Sequence, residues 1–224
     1  MGEPCSAEAT HVGLRRTDNQ DSLLRDDHRR LYAVADGMGG HAAGDVASKM
    51  AIRALRLGDV ETPESLRGVF SDAHAGILRK WGEMVGDSVY RRDGMGTTLS
   101  ALVLRGDRAL VAHVGDSRVY RIRAGFVEQL TADHTDGYFK NVLANCLGSS
   151  PAAHSRTDVA ERSVRTGDCF VLCSDGLSNY LDDPGDLVRL RSGRSISDFA
   201  KALVAHALDG GGIDNVTVVA VAVS

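Results

Sequence analysis

Three aspartates of this chain each stand where a strongly apolar segment meets a loop. Asp36 and Asp175 each follow such a segment, and Asp214 comes just before another. A carboxylate at the end of a buried strand costs free energy unless a positive group pairs with it. Three such positions suggest a shared positive partner, and a metal ion is the simplest candidate. If the last strand runs antiparallel to the other two, all three carboxylates meet at one edge of a sheet.

The chemistry of these aspartates favours a hard cation. Carboxylates and waters suit Mg²⁺ or Mn²⁺, and no histidine or cysteine stands at the strand ends to favour zinc. The glycines that follow Asp36, among them Gly37, let the backbone bring a carbonyl close to a metal. Two cations that share a carboxylate can stabilise an in-line displacement at phosphorus. A single Asp-Gly pair more often marks a turn, so the prediction depends on the three aspartates as a set.

Turn and strand signals predict antiparallel sheets. Three glycine-containing turns each separate two strand-like segments, which is typical of β-hairpins. They lie at residues 106–107, 124–125 and 166–168. Helical periodicity marks residues 44–57, and Thr62 with Pro63 has the pattern of an N-cap at the start of a second helix. The apolar stripes of such helices must cover sheet faces, which predicts an α+β fold.

Two further helices are predicted near the C-terminus. Asp183, followed by proline, begins a short helix, and Ser195, with an aspartate three residues later, begins a longer one. No repeat, linker or low-complexity stretch interrupts the chain. We therefore expect one domain, 1–224, with a loosely ordered tail at 1–9.

Charge and composition exclude several classes of protein. The net charge of −4 does not indicate a basic surface that would bind nucleic acid or acidic lipid. No stretch approaches the roughly 18 apolar residues of a membrane span, and no signal-like apolar run begins the chain. The four cysteines lack zinc-type spacing. We expect a cytoplasmic monomer that binds neither nucleic acid nor membrane.

Seven short motifs follow one another along nearly the whole chain. They are RTDNQD at 16–21, VADGMGGH at 34–41, GTT at 96–98, GDSR at 115–118, LTADH at 130–134, LCSDGL at 172–177 and DNVT at 214–217. Each motif is weak by itself, but the seven in this order make chance negligible. With them the chain resembles the metal-dependent protein phosphatase 2C family of serine/threonine phosphatases, in its bacterial branch.

The resemblance implies a fold and an activity. The fold is a four-layer αββα sandwich, in which two antiparallel β-sheets are flanked by helices. The activity is hydrolysis of phosphoserine and phosphothreonine in proteins by direct attack of a metal-bridging water, without a phosphoenzyme. The cofactors are two Mn²⁺ or Mg²⁺ ions, with a third at a weaker site. The partners are phosphoprotein substrates and a cognate serine/threonine kinase.

The resemblance also assigns metal ligands. Asp36 would bridge two cations, and the carbonyl oxygen of Gly37 would bind the second. Asp175 and Asp214 would complete the first site. Asp133 matches the position that, with Asp175, holds the third cation.

Three further residues receive roles around the metals. Arg16 would bind the substrate phosphate through its planar guanidinium, the alternative being an ordinary surface arginine. Asp21 would orient a metal-bound water. His41 would either donate a proton or hydrogen bond near the site or simply cap its loop. The motifs at 115–118 and 96–98 are interpreted as a turn and as sheet packing, without a catalytic role.

The chain departs from the family pattern at three places. Gln20 stands where many members carry glutamate, and a neutral amide adds no charge around the second metal. Met38 replaces the proposed general-acid histidine of the animal branch and cannot donate a proton. Only residues 135–140 stand where bacterial members insert a long flap. We therefore expect an open active-site face, with substrate choice set by a partner surface or by Tyr138 and Phe139.

A non-catalytic binding module is the alternative hypothesis. Gln20 and the short flap favour a fold that binds phosphoproteins with weak or no hydrolysis. Retention of every assigned aspartate ligand and of Arg16 favours the enzyme, because a binding module has no need of all of them.

Overall fold

The fold is described by a computed structural model covering residues 3–39, 43–86, 94–135, 143–150, 156–183 and 185–224. The strands are β1 (Cys5–His11), β2 (Ser22–Asp26), β3 (Leu31–Ala35), β4 (Gly37–Met38), β5 (Gly96–Thr97), β6 (Leu99–Arg105), β7 (Arg108–Val114), β8 (Arg118–Arg123), β9 (Phe126–Gln129), β10 (Leu147–Gly148), β11 (Asp158–Ser163), β12 (Cys169–Cys173) and β13 (Val216–Ala222). The helices are α1 (Ala43–Leu57), α2 (Pro63–Val85), α3 (Asp175–Ser178), α4 (Gly185–Arg191) and α5 (Ile196–Asp209).

Two five-stranded antiparallel sheets form the centre of the molecule. Sheet A has the strand order β1-β13-β12-β8-β9, and sheet B has the order β11-β7-β6-β3-β2. A small sheet, β10-β5-β4, stands apart from both. The hairpins β6–β7 and β8–β9 confirm two of the predicted turns. The third prediction is wrong, because the turn at 166–168 carries the chain from β11 at the edge of sheet B to β12 inside sheet A.

Three apolar cores separate the layers, as the predicted αββα sandwich requires. Helices α1 and α2 contribute to the core on the outer face of sheet B, and α4 and α5 contribute to the core on the outer face of sheet A. The third core lies between the sheets and includes Tyr32, Phe170 and Val219. Since alternate residues of a strand face opposite sides, central strands such as β3 and β12 are buried on both faces.

The helix starts follow the predicted capping signals. The Thr62 hydroxyl accepts a hydrogen bond from the backbone N–H of Ser65 at 3.0 Å, and the Ser65 hydroxyl accepts one from the N–H of Thr62 at 3.0 Å. Pro63 occupies the first turn of α2. Ser195 caps α5 by accepting from the N–H of Asp198 at 3.1 Å. In the described ranges, none of the helices is both long enough and apolar enough to cross a membrane.

The N-terminal segment corrects the predicted loose tail at 1–9. Residues from Cys5 onward form β1, which pairs along its whole length with β13, from Cys5 opposite Ala222 to His11 opposite Val216. Only Ala7 of this strand is buried, so its sequence lacks the apolar alternation that marks most strands. Pairing with a buried neighbour, rather than its own apolar surface, holds this edge strand in place.

Candidate active site

The three strand-end aspartates converge from two sheets. Cys173 near the end of β12 pairs with Val218 near the start of β13, so Asp175 and Asp214 leave neighbouring strand ends. Strand β3 packs against both strands from the facing sheet. All three aspartates line one cleft of about 720 Å³. The last strand does run antiparallel to β12, but the expected meeting at a single sheet edge is wrong because Asp36 comes from sheet B.

A close backbone approach brings two of these carboxylates together. A Cβ atom placed on Gly176 would lie inside van der Waals contact of the carbonyl oxygen of Asn215. Only glycine therefore lets the first turn of α3 pack against the start of β13. Asp175 and Asp214 immediately precede these two residues.

Burial, followed by mutual repulsion, raises the pKa values of four clustered aspartates. Burial, reinforced by the charges of Asp21 and Asp175, raises the pKa of Asp36 well above its usual value. Burial and then Asp175 raise the pKa of Asp116 to about 7, and burial raises the pKa of Asp21 to about 7. Burial and the charge of Asp214 raise the pKa of Asp175. Such a cluster is stabilised by any positive charge that enters it.

Two carboxylate oxygens of this cluster are buried without a hydrogen-bond partner. They are Oδ1 of Asp21 and Oδ1 of Asp175. The second oxygen of Asp21 accepts from the Ser174 hydroxyl at 2.8 Å, and that of Asp175 accepts from the side-chain amide of Asn179 at 3.2 Å. An unpaired buried acceptor costs free energy, and carboxylate oxygens are the ligands preferred by hard divalent cations. The residues therefore fit such a cation.

The carboxylates form a charge cluster rather than a closed cage. In the described part of the chain, no group of three or more histidine, cysteine, aspartate or glutamate side chains could hold a metal ion as it stands. Oδ2 of Asp214 accepts from Nη2 of Arg16 at 2.7 Å, and its Oδ1 accepts from the N–H of Asn215 at 2.8 Å. Both oxygens of this predicted ligand are thus engaged by donors of the chain itself.

Two threonines fix the backbone of Asp36. The N–H of Asp36 donates to Oγ1 of Thr98 at 2.9 Å, and its carbonyl oxygen accepts from Oγ1 of Thr97 at 2.9 Å. The Thr98 hydroxyl also contacts the hydroxyl of Ser117 at 2.7 Å. The GTT motif therefore holds the central aspartate, whereas the sequence interpretation assigned it only to sheet packing.

Asp116 lines the cleft, and the predicted ligand Asp133 does not. Nε and Nη2 of Arg118 donate to both oxygens of Asp133 at distances from 2.7 to 3.1 Å. Sequence analysis interpreted Asp116 as part of a turn. It stands just beyond the buried strand β7, however, and that is the same signal that identified Asp36.

His134 holds the turn that carries Asp116. Its Nδ1 accepts from the N–H of Gly115 at 3.3 Å and from the side-chain amide of Asn145 at 2.9 Å. The two donors at Nδ1 place the ring hydrogen on Nε2, which then donates to Asp158 at 3.1 Å. The N–H of His134 also donates to the carbonyl oxygen of Gly115 at 2.8 Å. These contacts fix the residue that precedes Asp116.

Asn215 holds the loop that presents Arg16. Its side-chain amide donates to the carbonyl oxygens of Val12 at 2.8 Å and Asp18 at 3.0 Å, and its Oδ1 accepts from the N–H of Gln20 at 2.8 Å. Arg16 lines the cleft, and its side chain is 56% exposed. A single buried amide therefore sets the position of the predicted phosphate-binding residue.

The remaining predicted site residues divide into two groups. Gly37, Met38 and Gln20 line the cleft, as expected of residues beside Asp36. His41 and the pair Tyr138 and Phe139 lie outside the described residues, so their roles and the predicted open face stay predictions.

A family model and two relatives match most of this chain in sequence. The family model described as Protein phosphatase 2C matches residues 9–209. The serine/threonine protein phosphatase PstP of Mycobacterium tuberculosis is 37% identical over 227 residues, which cover 92% of this chain but 42% of PstP. The chain thus spans about two fifths of that relative's length. The protein phosphatase PhpP of Streptococcus pneumoniae is 33% identical over 242 residues, which cover 96% of each chain.

Solved structures show the same fold. The crystal structure of the PstP catalytic domain in complex with two manganese ions superimposes with a TM-score of 0.83 at 35% identity and covers 99% of both chains. PppA, a key regulatory component of T6SS in Pseudomonas aeruginosa, superimposes with a TM-score of 0.86 at 31% identity and covers 99% of this chain and 98% of its own. The chain therefore belongs to the protein phosphatase 2C family of serine/threonine protein phosphatases, as its seven motifs predicted.

Proposed function

We propose that this chain is a divalent-cation-dependent phosphatase that hydrolyses phosphoserine and phosphothreonine in proteins. The observation that carries the proposal is the half-buried aspartate cluster beside a cleft with Arg16 at its mouth, in which burial and then the neighbouring carboxylates raise the pKa values of Asp36 and Asp116. Clusters of carboxylates with strongly raised pKa values are characteristic of functional sites. The two manganese ions bound by the PstP catalytic domain support the choice of cation.

The residues that would hold the cations come from both sheets. Asp36, Asp175, Asp214 and the carbonyl oxygen of Gly37 would hold two Mn²⁺ or Mg²⁺ ions. Asp116 replaces Asp133 as the candidate ligand for a third, because it lines the cleft. When bound, the cations would supply positive charge that lowers the pKa of a water molecule and neutralises the phosphate.

Arg16 would bind the substrate phosphate. A guanidinium carries five N–H donors in a planar fork, and the hydrogen bond to Asp214 uses one nitrogen, Nη2. The remaining donors suit two phosphate oxygens at once. The exposure of the side chain at the cleft mouth lets a phosphorylated residue approach it from solvent.

Asp21 would orient the attacking water. The Ser174 hydroxyl fixes Oδ2 of Asp21, and the buried Oδ1 is left as an acceptor. Met38 lines the cleft but has no proton to give to the leaving alkoxide. His41 stays the proposed donor of that proton.

The partners follow from this chemistry. We propose that the substrates are phosphoproteins made by a cognate serine/threonine kinase, and that the chain acts on them as a monomer in the cytoplasm. Light scattering of the purified protein tests the monomer, and a dimer at micromolar concentration would contradict it.

The direct experiment compares the wild type with Asp36→Asn on p-nitrophenyl phosphate and on a phosphothreonine peptide, with Mn²⁺ present. We expect the substitution to lower kcat/KM on the order of 10³-fold, because it removes the charge at the centre of the site. Asp72→Asn is the matched control, since Asp72 is exposed on helix α2. Equal rates from wild type and Asp36→Asn would overturn the proposal and favour the binding module.

A further inference from the structure

Two exposed apolar residues flank the candidate phosphate-binding arginine. Leu14 is 60% exposed and stands two residues before Arg16, and Ile213 is 63% exposed and immediately precedes Asp214. The Arg16–Asp214 contact of 2.7 Å joins the two segments. A Cβ atom on Gly13 would overlap the carbonyl oxygen of Asp214, so the segments pack backbone to backbone. We refer to Leu14 and Ile213 as the apolar ledge.

Hydrogen bonds fix the backbone of the apolar ledge. The N–H of Leu14 donates to the carbonyl oxygen of Gly212 at 2.6 Å. The N–H of Ile213 donates to the hydroxyl of Tyr180 at 3.1 Å. Two large apolar side chains are thus presented to solvent by a backbone that is already held, so a ligand need not order this backbone when it binds.

The position of the ledge distinguishes it from other exposed apolar residues. Single exposed apolar side chains are common on protein surfaces and need no explanation. Among the described residues, Leu57, Met84 and Phe126 are also exposed, at the end of α1, near the end of α2 and at the start of β9. Ile213 immediately precedes Asp214 and Leu14 stands two residues before Arg16, and both Asp214 and Arg16 line the cleft.

We propose that the apolar ledge binds an apolar side chain of the phosphoprotein substrate, two residues away from the phosphorylated serine or threonine. This inference rests on the function proposed above. Leu14 and Arg16 are two residues apart, which is at most about 7 Å of chain. In an extended substrate, alternate residues point to the same side and lie about 7 Å apart. When the phosphorylated side chain enters the cleft, the residue two positions away faces the ledge.

A substrate segment is the occupant that the location favours. Arg16 and Asp214 line the cleft and lie on the same two chain segments as Leu14 and Ile213, so a substrate whose phosphate binds Arg16 brings its neighbouring residues beside the ledge. The contact removes apolar surface from water on both partners. The ledge would therefore add a preference for sequence to a site whose charges recognise only the phosphate.

The experiment uses three phosphothreonine peptides that differ only near the phosphorylated residue. One carries leucine two residues before it, one carries leucine two residues after it, and one carries glycine at both positions. We expect the wild type with Mn²⁺ to prefer one of the leucine peptides by roughly fivefold to tenfold in kcat/KM. The double variant Leu14→Ser, Ile213→Ser should show a ratio near unity while hydrolysing p-nitrophenyl phosphate at the wild-type rate.

Leu57→Ser is the matched control, because it removes an exposed leucine at the far end of α1 and should keep the full preference. Thermal melting verifies that the double variant is folded. Fluorescence anisotropy of the three fluorescein-labelled peptides in EDTA measures their binding affinities without turnover. Absence of phosphatase activity would refute the proposed function, but these affinities would still test the ledge. Equal affinities of the wild type for the three peptides, or a preference that survives in the double variant, would overturn the ledge.

Discussion

Two aspartates bracket strand β12 and have opposite surroundings. Asp168 immediately precedes the strand, its side chain is fully buried, and it accepts from Nε and Nη2 of Arg123, both at 2.6 Å. Burial alone would raise the pKa of Asp168, but the bonds from Arg123 and from the backbone of Arg165 lower it overall. Asp175 follows the strand, its pKa is raised by burial and by Asp214, and its Oδ1 has no partner.

The difference between the two ends is the sign of the neighbouring charge. Asp168 faces an arginine, so its charge contributes to the folded state. At Asp175, burial and the repulsion of Asp214 outweigh the attraction of Arg16, so its charge opposes folding until a further positive charge enters the cleft. One strand thus carries a structural ion pair at one end and a candidate cation site at the other.

The largest expected effect is the loss of activity in Asp175→Asn. Because a proposed cation ligand is removed, kcat/KM with Mn²⁺ should fall on the order of 10³-fold. In EDTA the free energy of unfolding should rise, since one of the repelling charges is gone. Steady-state kinetics and urea denaturation measure the two quantities. A variant that loses stability in EDTA would show that Asp175 is a structural residue like Asp168.

The next effect belongs to the other end of the strand. Asp168→Asn should lower the free energy of unfolding by about 3 kcal/mol, because it leaves Arg123 beside a buried group without charge. Activity per folded molecule should stay at the wild-type level. The double variant Asp168→Leu, Arg123→Met should recover part of the loss, since no buried charge is then left alone. Urea denaturation at pH 7 measures these changes. An unchanged midpoint for Asp168→Asn would contradict a stabilising role for the Asp168–Arg123 ion pair.

The smallest effect is a pH dependence of stability that has opposite signs for the cleft carboxylates and for Asp168. The pKa values of Asp21 and Asp116 are raised to about 7, so the metal-free folded state holds protons that the unfolded state releases above about pH 4. Stability in EDTA should therefore fall as the pH rises from about 4 to 7. The lowered pKa of Asp168 adds stability above its unfolded pKa, and this is lost as the pH falls below about 4.

Each of these slopes is at most about 1.4 kcal/mol per pH unit for each proton. Urea denaturation between pH 3 and 8 in EDTA measures them. Added Mn²⁺ should flatten the limb between pH 4 and 7. A metal-free protein that gains stability steadily from pH 5 to 7 would contradict the raised pKa values.

The strand-end aspartates could be predicted because burial of a strand leaves a mark in the sequence. Asp36, Asp175 and Asp214 each adjoin a continuous apolar run, and all three reached the cleft. Their distribution over two sheets could not be predicted, because an apolar run that is buried on both faces does not reveal which sheet it joins. Strand β1 could not be predicted, because an edge strand with one buried residue shows almost no apolar alternation in its sequence.

The different surroundings of Asp116, which lines the cleft, and Asp133, which pairs with Arg118, show where sequence reasoning ended. Both aspartates follow strands and both belong to motifs. Arg118 lies in β8, and the direction of its side chain decides which carboxylate it neutralises. That choice depends on tertiary packing, as do the hydrogen bonds by which Thr98 and Asn215 hold Asp36 and the Arg16 loop.

Calorimetric titration with Mn²⁺ at pH 7 tests most directly whether the aspartate cluster is a divalent-cation site. The metal-free wild type and Asp168→Asn should bind Mn²⁺ and release protons, seen as heats that vary with the ionisation enthalpy of the buffer, because ligands with raised pKa values must deprotonate. Asp36→Asn should lose most of this binding. A wild type that binds no Mn²⁺, or an Asp36→Asn variant that binds it equally well, would contradict the central claim.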